Sequence, residues 1–400
     1  MHVAFNGYFW DQPRTGSGQY LRHLWSALGA VAPPSHRFTL LLPPGLSALD
    51  VPTSDRMAVA EGARAPIVGG RAGNLDKILW EMREVARATK RVKADLLHVP
   101  YLSAPLPVPR KVKTVVTAHD MIPWVLPGYA GSASMRLYLR VTAACVRRAD
   151  LIMADSEASR RDVIKVLRVP ANKVHTVYLG MEEHPDYIPA QLAEVRARHN
   201  LPEEYAFYLG GFERRKNVPL LLRAWRAVLT RLEGPGEHMP VLAIGGGVPG
   251  PGGVFPDVLG EAERLGFGGE GSPVRFLGRV SEEDKPLLMA AARLFVYPSA
   301  YEGFGLDPLE AMSVGCPVVS SSGGSLREVV GDAGLLVPPN DEGALAEAIA
   351  CAWRNPDLRA DLSQKGRRQA ANFTWQKTAE QTRALYHRLE IRNQKSEIRS

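Results

Sequence analysis

Short runs of core-type residues alternate along the chain with longer stretches whose apolar positions recur every three or four residues. In the first half the short runs are His2–Asn6, Arg37–Leu42, Asp95–Val99, Thr114–Ala118, Leu151–Ala154 and Val174–Tyr178. In the second half they are Tyr205–Leu209, Val241–Ile244, Val274–Leu277, Leu294–Tyr297, Val318–Ser320 and Leu335–Val337. They are too short for helices and lack strict alternation, which marks strands of a parallel sheet covered on both faces. Helical spacing between them, as in Ile78, Leu79, Met82, Val85, Ala86 and Val92, supplies the covering layer. This strand–helix cycle runs twice and predicts two Rossmann-like, doubly wound α/β domains. Pro185 and Pro189 interrupt any regular element, so the expected division is residues 1–187 and 188–375. Residues 376–400 read as a C-terminal helix packing back on the first domain, its polar end from Ile391 fraying. The Gly/Pro-rich segment Gly245–Gly253 reads as a loop.

Composition narrows the class. The 400 residues are 45% hydrophobic and 23% charged, enough for full cores and unlike a disordered chain. No apolar run approaches the ~18 residues of a membrane-spanning helix. The opening Met-His-Val-Ala-Phe-Asn-Gly reads as a first strand and not as a secretion signal. Cys145, Cys316 and Cys351 have no C-x-x-C spacing, so neither a disulfide framework nor a zinc site is indicated, and a reducing cytoplasmic setting is expected. The net charge of +7 is uneven: residues 1–187 hold 24 Lys/Arg against 16 Asp/Glu, and the remainder 25 against 26. Arg83, Arg87, Lys90, Arg91 and Lys93, then Arg136, Arg140, Arg147 and Arg148, concentrate the excess. Such asymmetry suits an anionic partner, although a solvated helix face explains it equally well.

In open parallel sheets, ligands bind beyond the carboxyl ends of the strands, so two such domains would face each other across a cleft lined by the residues after each strand. Glu302-Gly303-Phe304-Gly305-Leu306-Asp307-Pro308-Leu309-Glu310 follows one strand and opens a helix. Its glycines admit close backbone approach and the helix start favours a diphosphate or an electron-rich sugar. Glu302 is expected in the loop and Glu310 about two turns into the helix, where both carboxylates could address one ligand. Gly210-Gly211-Phe212-Glu213-Arg214-Arg215-Lys216 places basic residues at another strand end, suited to phosphate oxygens. Gly16-Ser17-Gly18 heads a helix, but Leu21 stands where a dinucleotide fingerprint needs glycine, which disfavours an NAD enzyme. His119-Asp120 closes a further strand, where a histidine can hydrogen-bond or shuttle protons. A D-x-D metal–diphosphate signal is absent.

In this order these pieces resemble the retaining glycosyltransferases of the two-Rossmann-domain, GT-B class, specifically family 4. The resemblance spans nearly the whole chain: Thr15–Leu21, His119-Asp120, Ala154–Ser159, Arg215-Lys216-Asn217, Phe276–Val280 and, most densely, Glu302–Pro338. It implies transfer of a hexose from a nucleotide-diphospho-sugar to a glycan or lipid-linked glycan acceptor, without a required metal or other cofactor. By position, Glu302 would contact the donor sugar hydroxyls and Glu310 the nucleotide ribose. Gly303, Phe304, Gly305 and Leu306 would offer backbone to sugar and phosphate, and Lys216 would neutralise the diphosphate. Val280 would lie against the base, and Lys285 matches a position that touches guanine in similar mannosyltransferases. Gly16 and Gly18 would approach the phosphates and His119 a sugar hydroxyl near the reacting carbon. Where many relatives have Gly-Arg, this chain has Gly210-Gly211, so Arg214 or Arg215 must serve, with Arg215 favoured beside Lys216.

GDP-mannose is the favoured donor, from the T-G-x-G-x-Y stretch and Lys285; UDP- and dTDP-sugars are the alternatives. The basic first half would suit peripheral contact with the inner membrane surface. A non-catalytic nucleotide- or nucleic-acid-binding protein is the other class, disfavoured because the basic stretches lack interleaved aromatics.

Overall fold

The computed structural model describes residues 1–46, 50–61, 77, 80–103, 111–233, 239–269 and 271–397, with side chains through residue 391. Two compact units emerge, Met1–Gly180 with the chain from Thr374, and Met181–Phe373. The first unit's stretch therefore ends ahead of the Pro185–Pro189 segment expected to divide the domains.

The first unit is built on seven parallel strands in the order β3-β2-β1-β4-β5-β6-β7. These are β1 (His2–Asn6), β2 (Arg37–Leu42), β3 (Met57–Glu61), β4 (Leu96–Val99), β5 (Lys113–Ala118), β6 (Leu151–Ala154) and β7 (Val174–Thr176). Val3 lies opposite Phe38 on one side and Leu96 on the other, which leaves β1 central and almost wholly buried. Around the sheet pack α1 (Gly16–Val31), α2 (Val85–Arg91), α3 (Ala133–Arg148) and α4 (Glu157–Leu167). Trp80, Val85, Leu97, Val116, Val146 and Ile152 belong to one continuous core.

β3 is not among the expected strands. It is an edge strand in which only Met57 is buried, and half of its four-residue apolar run, Met-Ala-Val-Ala, is alanine, which is depleted in strands. The helical stripe expected through Ile78–Val92 is also interrupted. Ile78 and Leu79 fall outside the described residues; Trp80–Glu84 forms a π-type turn ahead of α2. The wider turn shifts the phase of the helix, so Met82, expected in the core, is 42% exposed.

The second unit holds six parallel strands in the order β10-β9-β8-β11-β12-β13. They are β8 (Tyr205–Leu209), β9 (Val241–Gly245), β10 (Val274–Gly278), β11 (Leu294–Tyr297), β12 (Val318–Ser321) and β13 (Gly334–Val337). The helices are α5 (Pro189–Arg198), α6 (Val218–Leu232), α7 (Val258–Arg264), α8 (Asp284–Ala291), α9 (Leu306–Ser313), α10 (Leu326–Val330), α11 (Glu342–Arg354) and α12 (Pro356–Ala370). Strand order reverses between β1 and β4 in one sheet and between β8 and β11 in the other, the switch points at which such sheets bind ligands.

The last helix, α13 (Trp375–Glu397), belongs to the first unit. The chain enters it against Gly180, where a Cβ would lie only 2.1 Å from the Trp375 nitrogen. Thr378 Oγ1 donates to the Tyr178 carbonyl at 2.8 Å, and the buried Tyr386 hydroxyl meets His98 Nδ1 at 2.6 Å.

Candidate functional site

In the second unit, β8 gives way to Gly210-Gly211 and a single 3-10 turn, Arg214–Lys216, while β11 leads through Ser299–Gly305 into α9. Because β8 and β11 are paired, the two connections touch. The Ala300 N–H donates to the Arg215 carbonyl at 2.7 Å, and the Ser299 hydroxyl oxygen lies 3.1 Å from the same carbonyl. That crossing sets the Glu302 carboxylate between two cations: Arg215 Nη1 donates to Oε2 at 2.7 Å, and Lys216 Nζ lies 2.9 Å from Oε1. Ser299 donates to Oε1 at 2.7 Å. The Tyr297 hydroxyl accepts from Lys216 and has Asp307 Oδ2 at 2.7 Å as its acceptor, with Glu302 Oε1 at 3.1 Å. Glu302 is 7% exposed. Burial alone would raise its pKa; Lys216, Arg215 and the Ser299 hydroxyl outweigh that and hold it at about 2.

The backbone under Glu302 is equally constrained. Ser325 donates to its carbonyl from both N–H and hydroxyl, at 3.1 Å each. A Cβ on Gly324, whose φ is +61°, would lie 2.3 Å from the same oxygen. Gly305 starts α9 at φ +104°, with the Leu326 side chain 2.8 Å from where a Cβ would stand. No side chain caps the helix start, so its N–H groups suit an anion. Gly303 and Gly305 are buried, and the Phe304 ring packs edge-on to Phe373 with centroids 5.7 Å apart.

α9 begins at Leu306, so Glu310 lies little more than one turn in, instead of the two expected. It pairs with a different cation: Lys285 Nζ, at the start of α8, is 2.6 Å from Glu310 Oε2. Burial works to lower the Lys285 pKa, and Glu310 followed by Asp307 outweighs it, so the ammonium is kept charged. Val280 lies against the end of β9, its Cγ2 3.0 Å from where a Cβ on Gly245 would stand. Gly211 is exposed, and its carbonyl accepts from Tyr208 at 2.6 Å. Arg215 is taken up by Glu302 and by Glu213 at 3.1 Å. Arg214 is exposed and its guanidinium meets no partner among the described residues.

In the first unit the ends of β4, β5 and β6 converge on His119. Its Nδ1 is 2.7 Å from Asp155 Oδ2 and its Nε2 2.9 Å from the Pro100 carbonyl. Both partners accept hydrogen bonds, so the ring carries a proton on each nitrogen. Burial opposes the imidazolium, but Asp155, with Asp120, prevails and raises the pKa. Tyr20 packs edge-on to the ring at 4.8 Å. The sugar hydroxyl expected at His119 would thus have to displace an existing acceptor. The two glycines of Gly16-Ser17-Gly18 also differ. Gly18 is buried, its N–H donates to Thr15, and a Cβ would meet the Gln12 carbonyl at 2.1 Å. Gly16 is exposed with open space around it, so only Gly16 is open to a ligand. Among the described residues no group of three or more His, Cys, Asp or Glu side chains is placed to hold a metal ion.

Tyr297, Ser299, Asp307, Ser325 and Asp155 join these clusters without having been assigned a role from the sequence. Asp307 stands inside the Glu302–Glu310 stretch and Asp155 within the Ala154–Ser159 motif, the signals by which they could have been found.

Two parallel-sheet α/β units are the architecture of the GT-B glycosyltransferases. Sucrose-phosphate synthase from Thermosynechococcus elongatus superposes with a TM-score of 0.73 over 98% of this chain and 99% of that one, at 23% identity. Residues 15–184 match the profile of Glycosyltransferase Family 4, and residues 193–369 that of Glycosyl transferases group 1. The Escherichia coli O-antigen chain mannosyltransferase B is 36% identical over 77% of this chain and 78% of its own length. The serotype-specific mannosyltransferase WbdA of the same species is 30% identical over 67% of this chain but only 32% of that longer protein. The chain belongs to the group 1, family 4 glycosyltransferases.

Proposed function

We propose that the protein is a retaining mannosyltransferase that moves mannose from GDP-mannose to a glycan or lipid-linked glycan. The observation that carries this reading is the convergence of Glu302, Arg215 and Lys216 beside the uncapped start of α9, at the β8/β11 switch point. Similarity to two proteins named as mannosyltransferases favours the sugar.

Glu302 receives the donor sugar hydroxyls and Glu310 the ribose, with Lys285 and Val280 at the base. The diphosphate lies over Gly303–Leu306 and takes Lys216 and Arg215 as counter-charges as it departs. Those cations already share Glu302, Glu213 and Asp307, so the exposed Arg214 is a further cation for the phosphates. In the first unit, Gly16 offers open backbone and His119 a charged ring. No carboxylate nucleophile is assigned. The acceptor attacks on the face the diphosphate leaves, and a phosphate oxygen takes the acceptor's proton. No metal takes part, because fixed cations and helix N–H groups supply the charge.

Thermal unfolding with GDP-mannose, UDP-glucose and dTDP-rhamnose, in the presence of chelator, tests the donor. GDP-mannose should raise the midpoint most. A larger shift with either of the others overturns the mannosyl assignment, and no shift with any of them overturns the donor site.

A further inference from the structure

The first unit contains a second cluster of polar and aromatic groups that the donor chemistry leaves unused. Tyr8 and Phe9 follow β1, Tyr101 and Ser103 follow β4, and Tyr138 projects from α3. The Lys77 ammonium lies among their rings, 4.9 Å from the centroid of Tyr101, 5.2 Å from Phe9, 5.9 Å from Tyr138 and 6.0 Å from Tyr8. It also donates to the Tyr138 hydroxyl at 3.4 Å. The walls are fixed from beneath: Trp80 Nε1 donates to Asn6 Oδ1 at 2.8 Å, and Asn6 Nδ2 to the Tyr101 hydroxyl at 2.6 Å.

Beside the lysine stands Glu81, 4% exposed. Its Oε2 accepts from Ser103 at 2.7 Å. Among the described residues its Oε1 makes no hydrogen bond, with the Lys77 nitrogen 3.7 Å away. A buried carboxylate oxygen without a donor is rare in a settled fold and needs an explanation. The half-buried rings of Tyr8, Phe9 and Tyr138 surround the Lys77 ammonium beside it, at the ligand-binding end of the sheet that also carries His119. A few polar groups set among aromatic rings are the composition of a small-molecule site.

We propose that this cluster is the acceptor subsite and that it takes a neutral pyranose ring. The inference rests on the transferase reading above and names its acceptor side. A pyranose has an apolar C–H face that packs on the electron-rich face of an aromatic ring. Its hydroxyls can donate to Glu81 Oε1 and accept from Lys77. The pair Lys77–Glu81 carries no net charge, so a phosphate gains nothing over a hydroxyl there. That selects the sugar portion of an acceptor and not a lipid-linked diphosphate.

Saturation-transfer NMR with methyl α-D-mannopyranoside tests this on the full chain, alongside the thermal shift caused by GDP-mannose. The wild-type protein should transfer saturation to the ring C–H protons. Tyr138→Ala should reduce that transfer at least fivefold, and Tyr138→Phe, which keeps the ring, should retain it. GDP-mannose should shift the unfolding midpoint of all three proteins equally, which also shows that they fold. A preserved nucleotide shift with no mannoside signal, or with a signal that Tyr138→Ala leaves intact, overturns the subsite alone. Tighter binding of mannose 6-phosphate than of the mannoside overturns its neutral character. Loss of the nucleotide shift in the wild type counts against the donor reading, while a Tyr138-dependent mannoside signal would still place a sugar here.

Discussion

At the scale of single residues, the site turns on Glu302, a carboxylate held ionised by neighbours that burial alone would not provide. Its value of about 2 lies below the ordinary 4.5. The unfolded state therefore binds the proton more readily, and the stability this group supplies is complete above pH ~4.5 and lost as pH falls towards ~2. The shift corresponds to about 3 kcal/mol. Urea unfolding between pH 5 and pH 2.5 should accordingly fall more steeply for wild type than for Glu302→Gln; equal slopes would show that the carboxylate is not so held. In the proposed reaction, Glu302→Ala should lower kcat/KM for GDP-mannose by about 10²–10³-fold with helical content unchanged by circular dichroism. Glu302, Arg215 and Lys216 were legible because charged residues stood beside glycines just beyond strand ends. Tyr297 and Ser299 were not: a strand-final tyrosine reads as core, and its partners lie in another connection, visible only once β8 and β11 are paired. The same limit hid the difference between Gly16 and Gly18, since only the Gln12 carbonyl behind Gly18 distinguishes a packed glycine from an open one.

At the scale of elements, unbroken apolar runs revealed nearly every central strand, while β3 escaped because half of its short apolar run is alanine, and the π-type turn at Trp80–Glu84 because it breaks the helical apolar period. Two joints carry more than their length suggests. Gly305 sits at φ +104° against Leu326, so Gly305→Ala should cost roughly 1–3 kcal/mol from backbone strain alone and also displace Gly303–Leu306, weakening the GDP-mannose thermal shift. A variant of unchanged midpoint and unchanged nucleotide response would refute this. The second joint fastens α13. His98 is fully buried between the Tyr386 hydroxyl at 2.6 Å and Thr117 Oγ1 at 2.7 Å. Burial, with a smaller contribution from His119, depresses its pKa to about 3. Below pH 6.5 the unfolded chain takes up a proton that the folded one refuses, so stability falls as pH drops from 6.5 towards 3. Titrating the unfolding free energy between pH 7.5 and pH 5 should show a smaller decline in His98→Gln than in wild type. Hydrogen exchange at pH 5 should show α13 opening before the central strands.

At the scale of the whole molecule, charge separates the two ends of the chain more sharply than fold does. Both halves are parallel α/β structures, yet the Lys/Arg excess lies almost entirely within residues 1–187. On α3 that excess adjoins exposed apolar surface: Leu137 is 62% and Val141 43% exposed, with Arg136 and Arg140 beside them, both also exposed. No helix among the described residues is long and apolar enough to cross a membrane. A mixed basic and apolar helix face suits the surface of an anionic bilayer, since anionic headgroups attract each cation by about 1 kcal/mol near the surface and the apolar side chains bury into the interface. The attraction is screened as salt shortens the Debye length from ~10 Å at 0.1 M to ~3 Å at 1 M. Co-sedimentation should therefore find the protein on phosphatidylglycerol vesicles at low salt and largely released at high salt, with little on phosphatidylcholine. Replacing Arg136 and Arg140 by glutamate should abolish the binding while leaving the GDP-mannose thermal shift intact. Vesicle binding that ignored salt, lipid charge and this double substitution would assign the basic face to solvation alone.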